Sequence, residues 1–300
     1  MDPIGLGTYM LPREKVAETI RKAFEVGYRR IDCAPVYFNE DVIGDAIAGY
    51  PRDQLYLVSK LASPFHRHVE QALRKTLNDL RTDYLDLYLI HWPVAFRYVP
   101  IDLTERGWKN EDIDDSGNGS KIDDSVSIHE TWRQMEEMVD MGLVRSIGVS
   151  NFPVALLHEL MTRARIPPVV NQCEGHPYLQ NQKLVDYCAR RDVLFQAYSP
   201  LGTPGVKESD EPSILEDPNL VQIAQKHNAT VAQVCLAWAR QRGTSVVAKA
   251  TSPEHLEENW KSLELELTEE DVHEISQLDR GYRFFRPDEW WPNAAMAVFD

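Results

Sequence analysis

The chain has 300 residues, 43% of them apolar, with 47 acidic against 32 basic side chains and a formal charge of −15. That length suits one large domain with a sizeable core, and the acidity argues against nucleic acid or an anionic membrane surface as a partner. No apolar run approaches the roughly 18 residues a membrane span needs. The start, Met1-Asp2-Pro3-Ile4, lacks a basic cluster or an apolar signal core. Cys33, Cys173, Cys188 and Cys235 fall at no metal-binding or redox spacing. The expectation is a soluble, cytoplasmic protein with reduced thiols and no bound metal.

Residues 4–8 read as a first strand weakened by two glycines, Gly5 and Gly7. Residues 13–26 carry Val16, Ile20, Ala23 and Phe24 at helical spacing, and Gly27 stops that helix. A strand over 28–34, a helix over 42–47, an unbroken apolar strand at 55–58 and a helix over 66–81 follow, then the strongest strand, 84–90. Residues 93–127 then break the rhythm. This long loop turns acidic and glycine-bearing over 110–120, a composition that suits a mobile or functional segment. Alternation resumes with helix 128–142, strand 144–149, helix 153–164, strand 168–173, helix 181–191 and strand 193–198. A second loop, 202–218, is rich in Pro, Gly, Ser and acid. Helix 219–242, broken near Ala229, leads to strand 245–248 and to helices over 253–262 and 268–279. The tail, 280–300, reads as neither helix nor strand and holds Phe284, Phe285, Trp290, Trp291 and Phe299.

Eight strands alternating with about eight helices predict an α/β fold, a single (β/α)8 TIM barrel over 1–300. A long loop follows its fourth strand and an irregular tail lines its mouth. An open doubly wound sheet would want a third glycine after Gly5-Leu6-Gly7, and none is there. In a parallel barrel the chemistry gathers at the carboxyl ends of the strands. Seven runs end on polar groups: Asp32, Lys60, His91, Asn151, Gln172, Tyr198 and Lys249.

Asp32, Tyr37, Lys60 and His91 suit protonation of a developing alkoxide. A phenol with a pKa of about 10 is too weak an acid at neutral pH. A nearby ammonium lowers that value, and a carboxylate keeps the ammonium charged. A histidine beside the phenol steers a carbonyl oxygen or helps the proton move. Aspartate and lysine alone are equally a structural ion pair, and Tyr37 alone an ordinary half-buried aromatic.

The motifs Asp32-Cys33-Ala34-Pro35-Val36-Tyr37, Val58-Ser59-Lys60-Leu61, Leu87-Tyr88-Leu89-Ile90-His91-Trp92-Pro93, Ile147-Gly148-Val149-Ser150-Asn151-Phe152 and Val170-Asn171-Gln172 resemble those of the aldo-keto reductases, in order, from about Ile4 to about Leu278. The resemblance implies reduction of an aldehyde or ketone by NADPH, with NADH as a secondary cofactor. Tyr37 matches the general acid, Lys60 and Asp32 its partners, and His91 the orienting residue. Ser150, Asn151 and Gln172 match the holders of the nicotinamide carboxamide, and Tyr198 the residue stacked on the ring. Ser199 and Leu201 begin the loop over the pyrophosphate. Lys249 matches the 2′-phosphate lysine, and Glu258 and Asn259 match residues that hold adenine. Outside the family, Asn151 reads as a helix cap and Gln172 as a partner for a buried backbone group.

Three departures from that pattern bear on function. Ala250 replaces a serine hydroxyl, and His255 replaces an arginine whose fork is permanently charged; a weakened preference for NADPH is expected. Tyr9 and Ala62 stand where larger aromatics are common, while Trp92 remains, so a roomier pocket is expected. The substrate is a small carbonyl compound, an aldose or aldehyde first. The tail also resembles that of aldose-6-phosphate reductases, and Arg280, Arg283 and Arg286 suit either solvated ion pairs or a phosphorylated sugar. Rival readings are a Schiff-base aldolase using Lys60, a metal-dependent hydrolase, and a cofactor-holding, weakly catalytic binding subunit on the same fold. A monomer is favoured.

Overall fold

Eight parallel strands close into a barrel in chain order. They are β1 (Ile4–Gly7), β2 (Arg30–Asp32), β3 (Tyr56–Leu61), β4 (Leu87–Ile90), β5 (Ile147–Ser150), β6 (Val170–Glu174), β7 (Leu194–Tyr198) and β8 (Ser245–Ala248). The computed structural model describes residues 2–113, 122–205, 211–290 and 298–299, without the side chains of Asp288 and Trp290. The acidic stretch 114–121, residues 206–210 of the second loop and the tail segment with Trp291 lie outside the described residues. The helices are α1 (Val16–Val26), α2 (Glu40–Ile47), α3 (Val69–Leu80), α4 (Ile128–Asp140), α5 (Val154–Met161), α6 (Gln182–Arg190), α7 (Pro218–Lys226), α8 (Val231–Gln241), α9 (Pro253–Lys261), α10 (Glu269–Ser276) and α11 (Pro287–Trp290).

The expected (β/α)8 barrel is therefore the observed one. The break expected near Ala229 separates α7 from α8. Asn228 turns left-handed there (φ 49°), and Thr230 starts α8 in a capping box with Gln233. The tail differs from expectation in holding the short helix α11. Strand β1 forms despite its glycines, and the barrel interior shows why. A Cβ at Gly5 would strike the Arg30 guanidinium. Arg30 is wholly buried and donates to Ser245 Oγ (2.7 Å) and the Val246 carbonyl (2.6 Å). The four cysteines are free and buried. No described helix is long and apolar enough to cross a membrane.

The long loop after β4, expected to be mobile, is packed over part of its described length. Glu40, at the start of α2, is 1% exposed. Its Oε1 accepts from Ser59 Oγ on β3 (2.5 Å). Its Oε2 accepts from Thr76 Oγ1 on α3 (3.0 Å) and from Trp108 Nε1 in the loop (3.0 Å). Beside it, buried Asp79 accepts from the Gly107 N–H (2.8 Å), and Lys75 Nζ donates to the Glu105 carbonyl (2.8 Å). Gly44 lets α2 approach this close, since a Cβ there would run into the Asp79 carbonyl oxygen.

None of the three groups bonded to Glu40 carries charge. Burial is the main cause that pushes its pKa up to about 7; the hydrogen bonds oppose the rise and Asp79 adds to it. An unfolded glutamate titrates near 4.3, so between about 4.3 and 7 the folded state holds the extra proton. Stability contributed by this group is present at low pH and lost as pH rises through that window. Glu40→Gln keeps an oxygen for Thr76 and Trp108 and offers an N–H to Ser59, without the buried charge. The expected outcome is a higher melting temperature than the parent at pH 8 and a smaller change between pH 5 and 8. Thermal melts across that range check it, and a Gln variant less stable at pH 8 contradicts it.

Candidate active site

The carboxyl ends of the strands surround a cavity of about 360 Å³. Asp32 ends β2, Lys60 is the penultimate residue of β3, and His91 follows β4 directly. Lys60 is wholly buried and Asp32 3% exposed, a costly arrangement unless every donor and acceptor is matched. Here they are matched. Lys60 Nζ donates to Asp32 Oδ1 (2.5 Å), to the Cys33 carbonyl (2.9 Å) and to the Tyr37 hydroxyl (3.3 Å). Asp32 Oδ2 accepts from Gln172 Nε2 (2.7 Å), which also donates to Gln196 Oε1 (2.5 Å).

Tyr37 ends a 3-10 turn, Pro35–Tyr37, opened by proline and closed by Phe38 in the left-handed region (φ 53°). Asn39 ties this segment to the loop after β1 by donating to the Thr8 carbonyl (2.9 Å). The Tyr37 ring stands at 85° to His91, with centroids 5.9 Å apart.

Charge here departs from expectation in one respect. The Lys60 ammonium does pull the Tyr37 pKa down, but burial outweighs it and the phenol is pushed up to about 12. Burial disfavours the Lys60 charge, yet Asp32 and Tyr37 together hold its pKa above the ordinary lysine value. Burial and then Lys60 drive His91 well below its usual range, so the imidazole is neutral. The phenol is thus a proton store rather than a phenolate at neutral pH.

Around the rest of the rim, Ser150 Oγ donates to the Gln172 carbonyl (2.8 Å) and Asn151 Nδ2 to the His91 carbonyl (2.9 Å). Tyr198 OH donates to Asn151 Oδ1 (2.9 Å). Asn151 and Ser199 adopt left-handed backbone (φ 65° and 49°), the kind of strain that collects at functional sites. Ser199, Leu201, Lys249, Tyr9 and Trp92 also line the cavity. The Lys249 ammonium has no ion-pair partner among the described residues.

Ala250, His255, Glu258 and Asn259 are not among the cavity-lining residues. They continue from Lys249 into α9, where the His255 N–H donates to the Ser252 cap (3.2 Å) and Glu258 Oε1 accepts from Thr230 Oγ1 (2.6 Å). Ala62 is wholly buried and does not line the cavity either, so its small size does not widen the pocket as expected.

Two groups went unnoticed in the sequence: Gln196 and Glu174. Gln196 on β7 and Glu174 on β6 share the inward parity of Tyr198 and Gln172, respectively, and that signal could have found them. Of the three tail arginines, Arg280 lies 3.6 Å from Asp217, and Arg286 lies 2.7 Å from Glu289. Arg283 approaches Glu174 at 3.7 Å without a hydrogen bond. No cluster of three or more His, Cys, Asp or Glu that could hold a metal occurs among the described residues.

Known proteins resemble this chain in sequence and fold. The sequence profile of the Aldo/keto reductase family matches residues 3–280. The NADPH-dependent D-xylose reductase of Meyerozyma guilliermondii is 41% identical, over 97% of this chain and 95% of its own. The NADP-dependent D-sorbitol-6-phosphate dehydrogenase of Malus domestica is 37% identical, over 97% and 94%. The solved aldose reductase of Schistosoma japonicum superposes with a TM-score of 0.85 at 36% identity, covering 97% of this chain and 92% of that one. The chain belongs to the Aldo/keto reductase family.

Proposed function

We propose that the protein reduces an aldehyde or ketone to an alcohol, with Tyr37 as proton donor and a reduced nicotinamide nucleotide, NADPH before NADH, as cofactor. The observation that carries this reading is the buried relay from Asp32 through Lys60 to Tyr37, at 2.5 and 3.3 Å, with the phenol on the cavity wall. The residues fit such a cofactor. Ser150, Asn151 and Gln172 offer polar groups beside the Tyr198 ring, the left-handed Gly202 turn brings backbone to the cavity, and Lys249 on the cavity wall, with no ion-pair partner among the described residues, offers an ammonium for a phosphate. When bound, the reduced nicotinamide supplies the hydride.

The chain's own residues do the rest. Tyr37 carries its proton through neutral pH and its phenolate is a weaker base than an alkoxide, so the phenol gives the proton up once charge develops on the carbonyl oxygen. Lys60 then faces the phenolate left behind and stabilises it, while Asp32 keeps Lys60 charged and in place. Neutral His91 is an N–H donor that orients the carbonyl oxygen without competing for the proton. Gly202, Thr203, Pro204 and Gly205 of the second loop and Phe285 of the tail line the cavity wall.

Aldoses and simple aldehydes are the favoured substrates, a preference supported by the yeast D-xylose reductase relative. A phosphorylated sugar is a second reading. It is favoured by the buried Arg283 Nη1, which has no hydrogen bond among the described residues, and by the Malus domestica relative named as a D-sorbitol-6-phosphate dehydrogenase. Competition assays decide it: glucose and xylose are expected to exceed glucose 6-phosphate in kcat/KM, and the reverse order establishes the second reading.

Tyr37→Phe is expected to lower turnover by at least about 100-fold, the usual scale of a lost general acid, with NADPH binding nearly intact by fluorescence titration. A wild-type protein that binds NADPH yet reduces no carbonyl would instead be a binding subunit. With His255 and Ala250 near Lys249, the preference for NADPH over NADH in kcat/KM is expected to stay below roughly a thousandfold, about 4 kcal/mol. Steady-state kinetics with both nucleotides test this, and a larger ratio rejects it.

A further inference from the structure

Glu174, the last residue of β6, is wholly buried. Strand alternation turns its side chain to the same face as Gln172, about 7 Å further toward the mouth. Its carboxylate does not enter the relay around Tyr37. It is bonded instead to the C-terminal tail: Oε1 accepts the Phe284 N–H (2.7 Å) and Oε2 the Phe285 N–H (3.1 Å). His176, also wholly buried, donates from Nε2 to Oε1 (2.9 Å), and Arg283 Nη1 lies 3.7 Å from Oε2.

Two successive backbone N–H groups on one carboxylate orient the tail on both sides of that point. The Phe284 ring packs against His176, with centroids 5.1 Å apart. The Phe285 ring is sent to the cavity wall. There it meets Tyr198 edge-on (5.3 Å, 88°) and Tyr9 (6.1 Å), and Tyr9 in turn meets Tyr37 (5.1 Å). Phe285 thereby completes an aromatic arc from Tyr37 to Tyr198. The Arg283 guanidinium covers the Phe299 ring (3.6 Å), which leans on Trp92 (6.1 Å). A carbonyl compound with an aryl or bulky alkyl group gains contact with this arc, and a small polyhydroxy aldehyde gains little.

We propose that Glu174 is a positioning residue that latches the tail to β6 and, through Phe285, sets how much an apolar substituent adds to the kcat/KM of an aldehyde. This rests on the carbonyl-reductase reading above and deepens it. Glutamine at this position keeps one acceptor oxygen and turns an N–H toward the other backbone donor, so the latch is broken while the side-chain volume is kept.

The test compares the wild type, Glu174→Gln, Phe285→Ala and the double variant, with benzaldehyde and glyceraldehyde as substrates. Each single variant is expected to lower the benzaldehyde-to-glyceraldehyde ratio of kcat/KM at least fivefold, mainly through KM. The double variant is expected to match Phe285→Ala alone, because the latch acts through that ring. A merely stabilising role would depress both substrates equally, and an additive double variant would mean Glu174 does not act through Phe285; either result overturns the proposal. Hydrogen exchange reads the latch without any turnover. The Phe284 and Phe285 amides are expected to exchange at least tenfold faster in Glu174→Gln, with β6 amides unchanged, and equal rates overturn the latch. If the wild type reduces no carbonyl while exchange behaves as expected, the reductase reading has failed and the latch stands without its substrate consequence. If Glu174→Gln does not fold, half-buried Phe285→Ala alone must lower the ratio, and an unchanged ratio overturns the proposal.

Discussion

A lysine and an aspartate share the interior of the barrel with almost no access to water, and the site depends on how that charge is accommodated. An ion pair of this kind is expensive to bury and is tolerated only where further hydrogen bonds saturate it. Saturation requires partners from several strands at once. Lys60 reaches Asp32, Cys33 and Tyr37, while Asp32 reaches across the barrel to Gln172. The parallel register that sets Asp32 beside Val58 and Lys60 beside Leu89 fixes the relative heights of these groups. Closure of the barrel then makes the contact to β6 available. Displacing β2 or β3 would leave a charge without its partner, so the electrostatics and the topology support each other.

The same burial that makes the pair costly governs the phenol. Close approach of an ammonium should acidify Tyr37, yet removal from water acts more strongly in the opposite direction. The two effects are not in conflict for the proposed chemistry. A phenol that keeps its proton at rest is loaded as a donor, and the ammonium becomes most valuable only when the phenolate forms, where stabilisation accelerates a reaction. The neutral state of His91 follows from the same two causes, burial and the Lys60 charge.

Two further buried acids organise what surrounds this centre. Glu40 gathers β3, α3 and Trp108 of the long loop on one carboxylate, and Glu174 gathers two amides of the tail on another. Irregular segments cannot satisfy their own backbone groups as helices and sheets do. Here Glu174, at the end of β6, supplies that partner to two tail amides, while Glu40 holds the long loop through a side chain, the Trp108 indole N–H. Thus segments that read as loose in the sequence are held against the barrel at defined points.

Alternation of apolar runs with helical spacing determined the barrel, because each strand is buried on both faces and each helix on one, and those periodicities are local properties of the chain. The polar groups that end the runs, Asp32, His91, Tyr198 and Lys249 among them, were legible for the same reason: a parallel barrel carries all its strand ends to one mouth. Long-range pairing was not legible. That Gln172 completes the shell of Asp32, that Gly5 makes room for Arg30, that Ala62 is packed away from the cavity and that Glu174 seizes a tail some 110 residues distant are decided by which groups closure brings within hydrogen-bonding or van der Waals reach. The balance between burial and the Lys60 charge at Tyr37 belongs there too, since a pKa depends on solvent exclusion by residues from many elements, and no local pattern records that.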